Sequence, residues 1–359
     1  MLVKTIRRIG GLDKGAMESA QRHQDLLAIP RGSLGRLHEF CVQLAGITGN
    51  SRPEIRDLAV VTMAGDHGVT AQGISLFPQE VTREMVANFA QGGAAINVLA
   101  RHIGARLTVV DMGVAGALPT LVSEADPSIR LAHRRIGDGT ADISKGPAMS
   151  EDQAIRSLEA GIHVFEEERS LGLHAIGTGD MGIGNTTPSS AIAAALLKRN
   201  PADLVNHGTG IDPDTLKHKV EVVARSLEVN QPDPNDPLDV LSKVGGFEIG
   251  GIAGTILAAC ASRIPVVIDG FISTAAALLA SRLHPEVRNY LFAGHHSAVL
   301  GHKLMLDELA LRPMVDLGMR LGEGTGAALG LSILVAASRV AREMLTFDEA
   351  DVTDPKSGG

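Results

Sequence analysis

Two short stretches combine residue types that can do chemistry. RLGEGTGAAL, Arg320 to Leu329, sets one carboxylate, Glu323, among three glycines and a threonine ahead of an alanine- and leucine-rich run. Glycines let a backbone curl and let a flat ligand approach it. An acid in such a turn is placed to take a proton or to face a developing positive charge. Support of the following helix by charge at its N-terminus is the other reading that these residues allow on their own. DMGIGNTTPSS, Asp180 to Ser190, is the second stretch. Gly182, Ile183 and Gly184 let successive N–H groups converge, and Asn185, Thr186 and Thr187 add neutral donors beside a helix N-terminus. That is the composition of a phosphate cradle, with an ordinary capped turn as its competitor.

HGTGIDPDTLKHK, His207 to Lys219, joins a glycine turn to a lysine, and Lys219 beside an anion cradle would neutralise a phosphate. No Gly-Lys-Ser/Thr follows the cradle, so it is not a P-loop, and GTGDMG departs from the GxGxxG spacing of a dinucleotide fingerprint. AGDHGV puts Asp66 and His67 at a strand end, where Asp66 either lines a site or caps a turn. AGHHSAVLGHK clusters His295, His296 and His302, but without HExxH or a nearby Cys or acid the cluster is not expected to bind a metal. Asp111 and Asp269 each end a strand-like run, yet neither belongs to the pair of adjacent acids that holds a pyrophosphorylated ribose and its magnesium. A sugar donor without pyrophosphate fits better.

Elements must place these loops. Short β-branched runs ending in glycine recur at LAVVTMAG, RLTVVDMG, LHAIGTG, IPVVIDG, NYLFAG and MVDLGMRLG, continuously apolar as strands buried on both faces should be. Helical segments alternate with them, as at Ser150 to Glu168, where Ser150 and Gln153 form a capping-box pattern. The expected fold is α/β, a doubly wound, mostly parallel, Rossmann-like sheet with a smaller helical subdomain. The helical subdomain is expected over residues 1–50, completed by a C-terminal helix at 331–347, with the catalytic domain over 51–330 and a frayed tail at 348–359. Within 12–49 the helical text breaks at Pro30 to Ser33, and Ser33 is the expected N-cap of the next helix. QPDPNDP, Gln231 to Pro237, reads as a surface loop. In such sheets ligands sit beyond the carboxyl ends of the strands, where the strand order reverses.

Bulk composition narrows the function classes. The 359 residues carry a formal charge of -8, with no Trp and one Tyr, which argues against nucleic-acid binding. Cys41 and Cys260 are far apart in apolar helical text and read as reduced core residues. No secretory pattern is evident at the start, and the longest apolar runs fall short of the ~20 residues that span a bilayer, so a cytoplasmic protein is expected.

Taken in order, PRGSLGRL, AGDHGV, FPQEVT, MGIGNTTPSSAIAAAL, GTGID with its following lysine, DPLDVLSKVGGFEIGGIAG, DGFIS, AGHHSA and RLGEGTGAAL resemble the nicotinate-nucleotide:dimethylbenzimidazole phosphoribosyltransferases over nearly the whole chain. The resemblance implies transfer of 5-phosphoribose from nicotinate mononucleotide to 5,6-dimethylbenzimidazole, with inversion at the anomeric carbon, by a homodimer that uses no cofactor and no metal. It makes Glu323 the general base, assigns Gly182, Ile183, Gly184, Asn185, Thr186, Gly208, Lys219, Asp269 and Ser297 to the nucleotide, and suggests Ser75, Phe77, Gln79, Asp180 and Leu321 for the base pocket. Asp180 stands where the family more often has Glu, which draws the carboxylate back by about 1.5 Å. Arg31 stands where the family more often has a second proline. The alternatives are an NAD-dependent oxidoreductase on the same architecture, disfavoured by the missing GxGxxG, and a non-catalytic nucleotide-binding protein, which leaves Glu323 unexplained.

Overall fold

The computed structural model describes residues 1–118, 126–205 and 213–354. The chain opens with helices α1 (Leu2–Ile6), α2 (Lys14–Gln24) and α3 (Arg36–Thr48), and the first apolar run then forms β1 (Leu58–Gly65). Helices α4 (Glu80–Gln91) and α5 (Ala95–Ile103) lead to β2 (Arg106–Gly113) and β3 (Ile129–His133). Helix α6 (Glu151–Ser170) precedes β4 (Ala175–Met181), and α7 (Thr186–Leu197), α8 (Pro213–Asn230), α9 (Pro237–Val244) and α10 (Phe247–Ala261) follow. The chain continues through β5 (Val266–Ile268), α11 (Phe271–Leu283), β6 (Leu291–Ala293), α12 (His302–Glu308) and α13 (Thr325–Glu343).

The six strands form one parallel sheet in the order β3-β2-β1-β4-β5-β6. All eight residues of β1 are buried, because helices cover both faces of a central parallel strand. The order runs outward in both directions from β1 and β4, so the crevice beyond Gly65 and Met181 is the topological switch point. The expected doubly wound α/β fold is therefore present. Helix α10 is buried along its whole length. It meets α6 backbone to backbone: a Cβ on Gly161 would lie 1.9 Å from the carbonyl oxygen of Gly251, and one on Gly254 would lie 1.9 Å from that of Leu158.

Local details both match and correct the reading of the sequence. Ser150 accepts from the Gln153 N–H while the Gln153 side chain accepts from the Ser150 N–H, closing the capping box of α6. Asp236 caps α9 by accepting from Leu238 and Asp239, so QPDPNDP ends in a built helix start. Ser33 does not cap α3. The N-cap of that helix is Gly35, which has φ +52° and, as a glycine, no side-chain bond, since the turn that begins at Pro30 runs past Ser33. MVDLGMRLG adds no strand to the sheet: only Val315 pairs, in a bridge to His295. Helix α13 begins at Thr325, six residues earlier than expected, which makes it continuous with the Glu323 turn. It packs on α3, and Ser338 on it accepts from Ile55 N–H and donates to Pro53 O, tying the N-terminal helices to the sheet. The chain beyond it is turned and bonded as far as Val352, whose N–H donates to Phe347 O.

Candidate active site

Strand β4 delivers the chain to the switch point, and the turn Gly182 to Asn185 passes it into α7. Gly184 has φ +86° and passes so close to Thr70 that a Cβ would lie 2.8 Å from its Cγ2. Not every amide here is available to a ligand: Ile183 N–H donates to Thr82 Oγ1, and Asn185 N–H donates to Gly182 O. The side chains compensate. Lys219, on α8, donates to Thr186 Oγ1 at 2.6 Å, which leaves the threonine hydroxyl hydrogen free for another acceptor. Lys219 is buried and has no carboxylate partner among the described residues. Burial pushes its pKa down to about 8. A buried ammonium without a counter-ion is costly until an anion joins it, so this end of the crevice favours a phosphate.

Glu323 stands on three consecutive left-handed residues, with φ +90° at Gly322, +64° at Glu323 and +97° at Gly324. A non-glycine residue there is strained and persists only when its surroundings over-determine it. They do so from three strands. Thr62 of β1 donates its hydroxyl to Glu323 O at 2.7 Å, Glu323 N–H donates to Asp180 O on β4 at 3.1 Å, and Asp269 after β5 accepts from the N–H groups of Gly324, Gly326 and Ala327. The side chain turns toward α5, where Oε2 accepts from Ile96 N–H at 3.2 Å, in the first turn of that helix. Burial raises its pKa, and the Ile96 N–H works against that rise. The result is a buried carboxylate more basic than one in water.

Both features line one cavity of about 360 Å³. Asp180 lies in its wall, with Oδ2 accepting from Asn185 Nδ2 at 2.9 Å and Oδ1 unpartnered. Burial pushes this acid well above its ordinary pKa, and the charge of Asp269 adds to the effect. Ser75, Phe77 and Leu321 line the same cavity, the latter two 49% and 59% exposed and so at its mouth. Ser297 lines it too. Gly208 lies outside the described residues.

Two assigned residues do not face this space. The Gln79 side chain accepts from Thr70 and does not line the cavity. Asp269 is fully buried beneath it, with both oxygens occupied by the start of α13, so it anchors the Glu323 turn and does not line the cavity. Asp66 caps no helix start: its Oδ2 accepts from Ala115 N–H across the sheet end, while His67 pairs with Glu248 at 2.9 Å close to the Gly182 turn. Reading the sequence missed Val81 and Met85 of α4, which line the cavity. Their i,i+4 spacing on one helix face was the available signal. The three clustered histidines stay together, with the His302 ring 6.2 Å from that of His295 and 6.1 Å from that of His296, but bond differently: His296 pairs with exposed Asp316, His302 is buried against Thr274, and His295 lines the cavity. Among the described residues no group of three His, Cys, Asp or Glu could hold a metal ion.

A family model described as phosphoribosyltransferase matches residues 9–352. The nicotinate-nucleotide–dimethylbenzimidazole phosphoribosyltransferase of Roseiflexus sp. (strain RS-1) is 54% identical over 353 residues, covering 98% of each chain. The chain belongs to this family. The protein of the same name from Chloroflexus aggregans is 52% identical over 99% of each chain. A crystal structure of the phosphoribosyltransferase of that name from Thermus thermophilus superposes with a TM-score of 0.89 at 42% identity, covering 96% of this chain and 100% of that one. Membership makes the chain an enzyme of the pentosyltransferase class and supports transfer chemistry over the oxidoreductase alternative.

Proposed function

We infer that this phosphoribosyltransferase moves 5-phosphoribose from nicotinate mononucleotide to 5,6-dimethylbenzimidazole, giving α-ribazole 5′-phosphate and nicotinate. One observation carries the reading: a single cavity is lined both by a buried lysine with no carboxylate partner among the described residues and by a buried, strained glutamate. The lysine, Thr186 and the Gly182 to Asn185 turn suit a phosphomonoester. The glutamate suits the incoming base.

The chemistry needs one proton acceptor. The C1′–N bond of the nucleotide breaks with its electron pair going to the pyridinium nitrogen, so nicotinate leaves without receiving a proton. One nitrogen of the benzimidazole forms the new bond to C1′ from the opposite face. Its other ring nitrogen must lose a proton to avoid a cationic product, and Glu323 takes that proton. Its raised pKa makes it a better match to the benzimidazole than a solvent-exposed carboxylate would be. Its charge also favours the oxocarbenium character that develops at C1′. Phe77, Leu321, Val81 and Met85 offer apolar walls to the aromatic acceptor, with Ser75 as a polar contact.

The protein is further read as a cytoplasmic homodimer, on the family resemblance and on the finding that no helix among the described residues is long and apolar enough to cross a membrane. The test is direct. Purified protein given both substrates should release nicotinate and form ribazole phosphate in equal amounts, and should run at twice the monomer mass in light scattering. Absence of base exchange would remove the functional reading.

A further inference from the structure

Substrate and cavity can be matched charge by charge. Nicotinate mononucleotide carries two anionic groups, its phosphate and the carboxylate of its pyridine ring, whereas dimethylbenzimidazole carries none. Among the described residues the cavity is lined by one lysine and one arginine, Lys219 and Arg320. Lys219, bonded to Thr186 Oγ1, suits the phosphate. The transfer chemistry derived above gives Arg320 no task.

Arg320 lies in the loop that leads into the Glu323 turn, next to Leu321 at the mouth, and is exposed. Its side chain has no hydrogen bond or ion pair among the described residues. The acids around it are committed elsewhere. Glu323 Oε2 accepts from Ile96 N–H, Asp180 Oδ2 accepts from Asn185, and Asp316 pairs with His296. The backbone on either side is pinned, by Ala298 N–H donating to Met319 O at 3.0 Å and by Glu323 N–H donating to Asp180 O at 3.1 Å. A fixed main chain thus presents an unbonded, solvent-accessible guanidinium where a ligand enters.

A guanidinium offers a rigid fork of donors that matches both oxygens of a carboxylate. Phe77 and Leu321 flank the same mouth, so an aromatic ring seated there shields the pair from water and strengthens it beyond an open surface ion pair. We propose that Arg320 holds the carboxylate of the nicotinate ring, so that the enzyme takes nicotinate mononucleotide in preference to nicotinamide mononucleotide. This rests on reading the cavity as the phosphoribosyl-transfer site. The carboxylate is the same in the bound nucleotide and in the departing nicotinate. The contact is therefore made before, during and after transfer, and such uniform binding sets KM and leaves kcat alone.

The test compares nicotinate mononucleotide with nicotinamide mononucleotide, in transfer assays and by calorimetric binding, for the wild type, Arg320→Met and Arg320→Lys. The two donors carry the same phosphoribose and yield the same ribazole phosphate. With the nicotinate donor, Arg320→Met should raise KM roughly 5- to 30-fold at nearly unchanged kcat, and Arg320→Lys, which keeps the charge without the fork, should recover part of the loss. With the nicotinamide donor the wild type and Arg320→Met should have the same KM, so the substitution abolishes the preference for nicotinate. An unchanged KM for the nicotinate donor in Arg320→Met would overturn the proposal. So would a rise by the same factor with both donors, which would put Arg320 on the phosphate that they share or in support of the fold. A wild type that transfers from neither donor would instead remove the functional reading, and the calorimetric affinities, which must show the same donor dependence, then decide the role of Arg320.

Discussion

Glu323 donates its backbone N–H to the carbonyl oxygen of Asp180 at 3.1 Å, joining the two acids of the cavity through main chain and not through their carboxyl groups. Gly322, one residue earlier, sits over the Asp180 carboxyl, where a Cβ would lie 3.2 Å from Oδ2. The two acids are thus held in register but in different environments. Glu323 leans on the N-terminal turn of α5, whereas Asp180 is enclosed among other acids. Different environments push paired acids toward different protonation states.

Asp180 should therefore act as a neutral group. Burial, then the charges of Asp269, Glu248 and Glu323, hold its pKa well up against the opposing bond from Asn185. Asp180→Asn keeps an acceptor for Asn185 and replaces a carboxyl group whose proton burial helps to retain by an uncharged amide, so kcat should stay within about tenfold of wild type. Asp180→Ala leaves Asn185 without its partner and should cost about 1–3 kcal/mol in urea melts. If Asp180→Asn were as inactive as a variant lacking the base, Asp180 would have to be ionised in the working enzyme.

Lys219 predicts the alkaline limb of nucleotide binding. Its pKa in the free protein is pushed down to about 8, and a bound phosphate requires the ammonium form. Affinity for nicotinate mononucleotide should hold below that value and weaken by up to about tenfold per pH unit above it, as binding must return the lost proton. Calorimetry across pH 7 to 10 reads this directly, and Lys219→Met should be weaker throughout, with the limb gone. A limb that survives in Lys219→Met belongs to another group.

Gly179 tests how the Glu323 turn is seated. A Cβ there would fall 2.3 Å from Glu323 O and 2.5 Å from its carbonyl carbon. Gly179→Ala should destabilise the fold by about 1–3 kcal/mol. Because the atoms that must move belong to Glu323, kcat should fall even in the folded variant. Wild-type turnover at normal expression would show that the position of the turn does not matter.

How much of this was legible in the sequence depended on burial. β1, β2, β4, β5 and β6 were visible because strands buried on both faces are written as unbroken apolar runs. β3 was not, since IRLAH is an edge strand with Arg130 and Leu131 half-buried and His133 exposed. MVDLGMRLG has similar residues but runs past the edge of the sheet, where its backbone bonds at Met314, Val315 and Met319 amount to one isolated bridge and no strand. Glu323, Asp180, Thr186 and Lys219, singled out by residue type, come together on one cavity wall. Asp269 stays out of the cavity lining for a physical reason: a strand-end acid can turn toward a cavity or toward a neighbouring helix start, and residue type does not say which. His295 went unassigned because His296 and His302 beside it bond to other partners, and residue type alone does not say which of the three lines the cavity.

The most direct measurement of the central claim is the pH profile of kcat/KM for wild type and Glu323→Gln with saturating nucleotide and dimethylbenzimidazole varied. In the wild type, activity should fall as pH drops through the Glu323 pKa, which burial lifts above the ordinary 4.5. The carboxylate form is the active one, so the limb lies on the acid side and sits higher than for an exposed glutamate. Glu323→Gln should keep the fold and the affinity for nicotinate mononucleotide while turning over ~10²–10⁴ times more slowly, and its acid limb from this group should vanish. Full turnover in Glu323→Gln, or an unchanged acid limb, would contradict the assignment of Glu323 as the base.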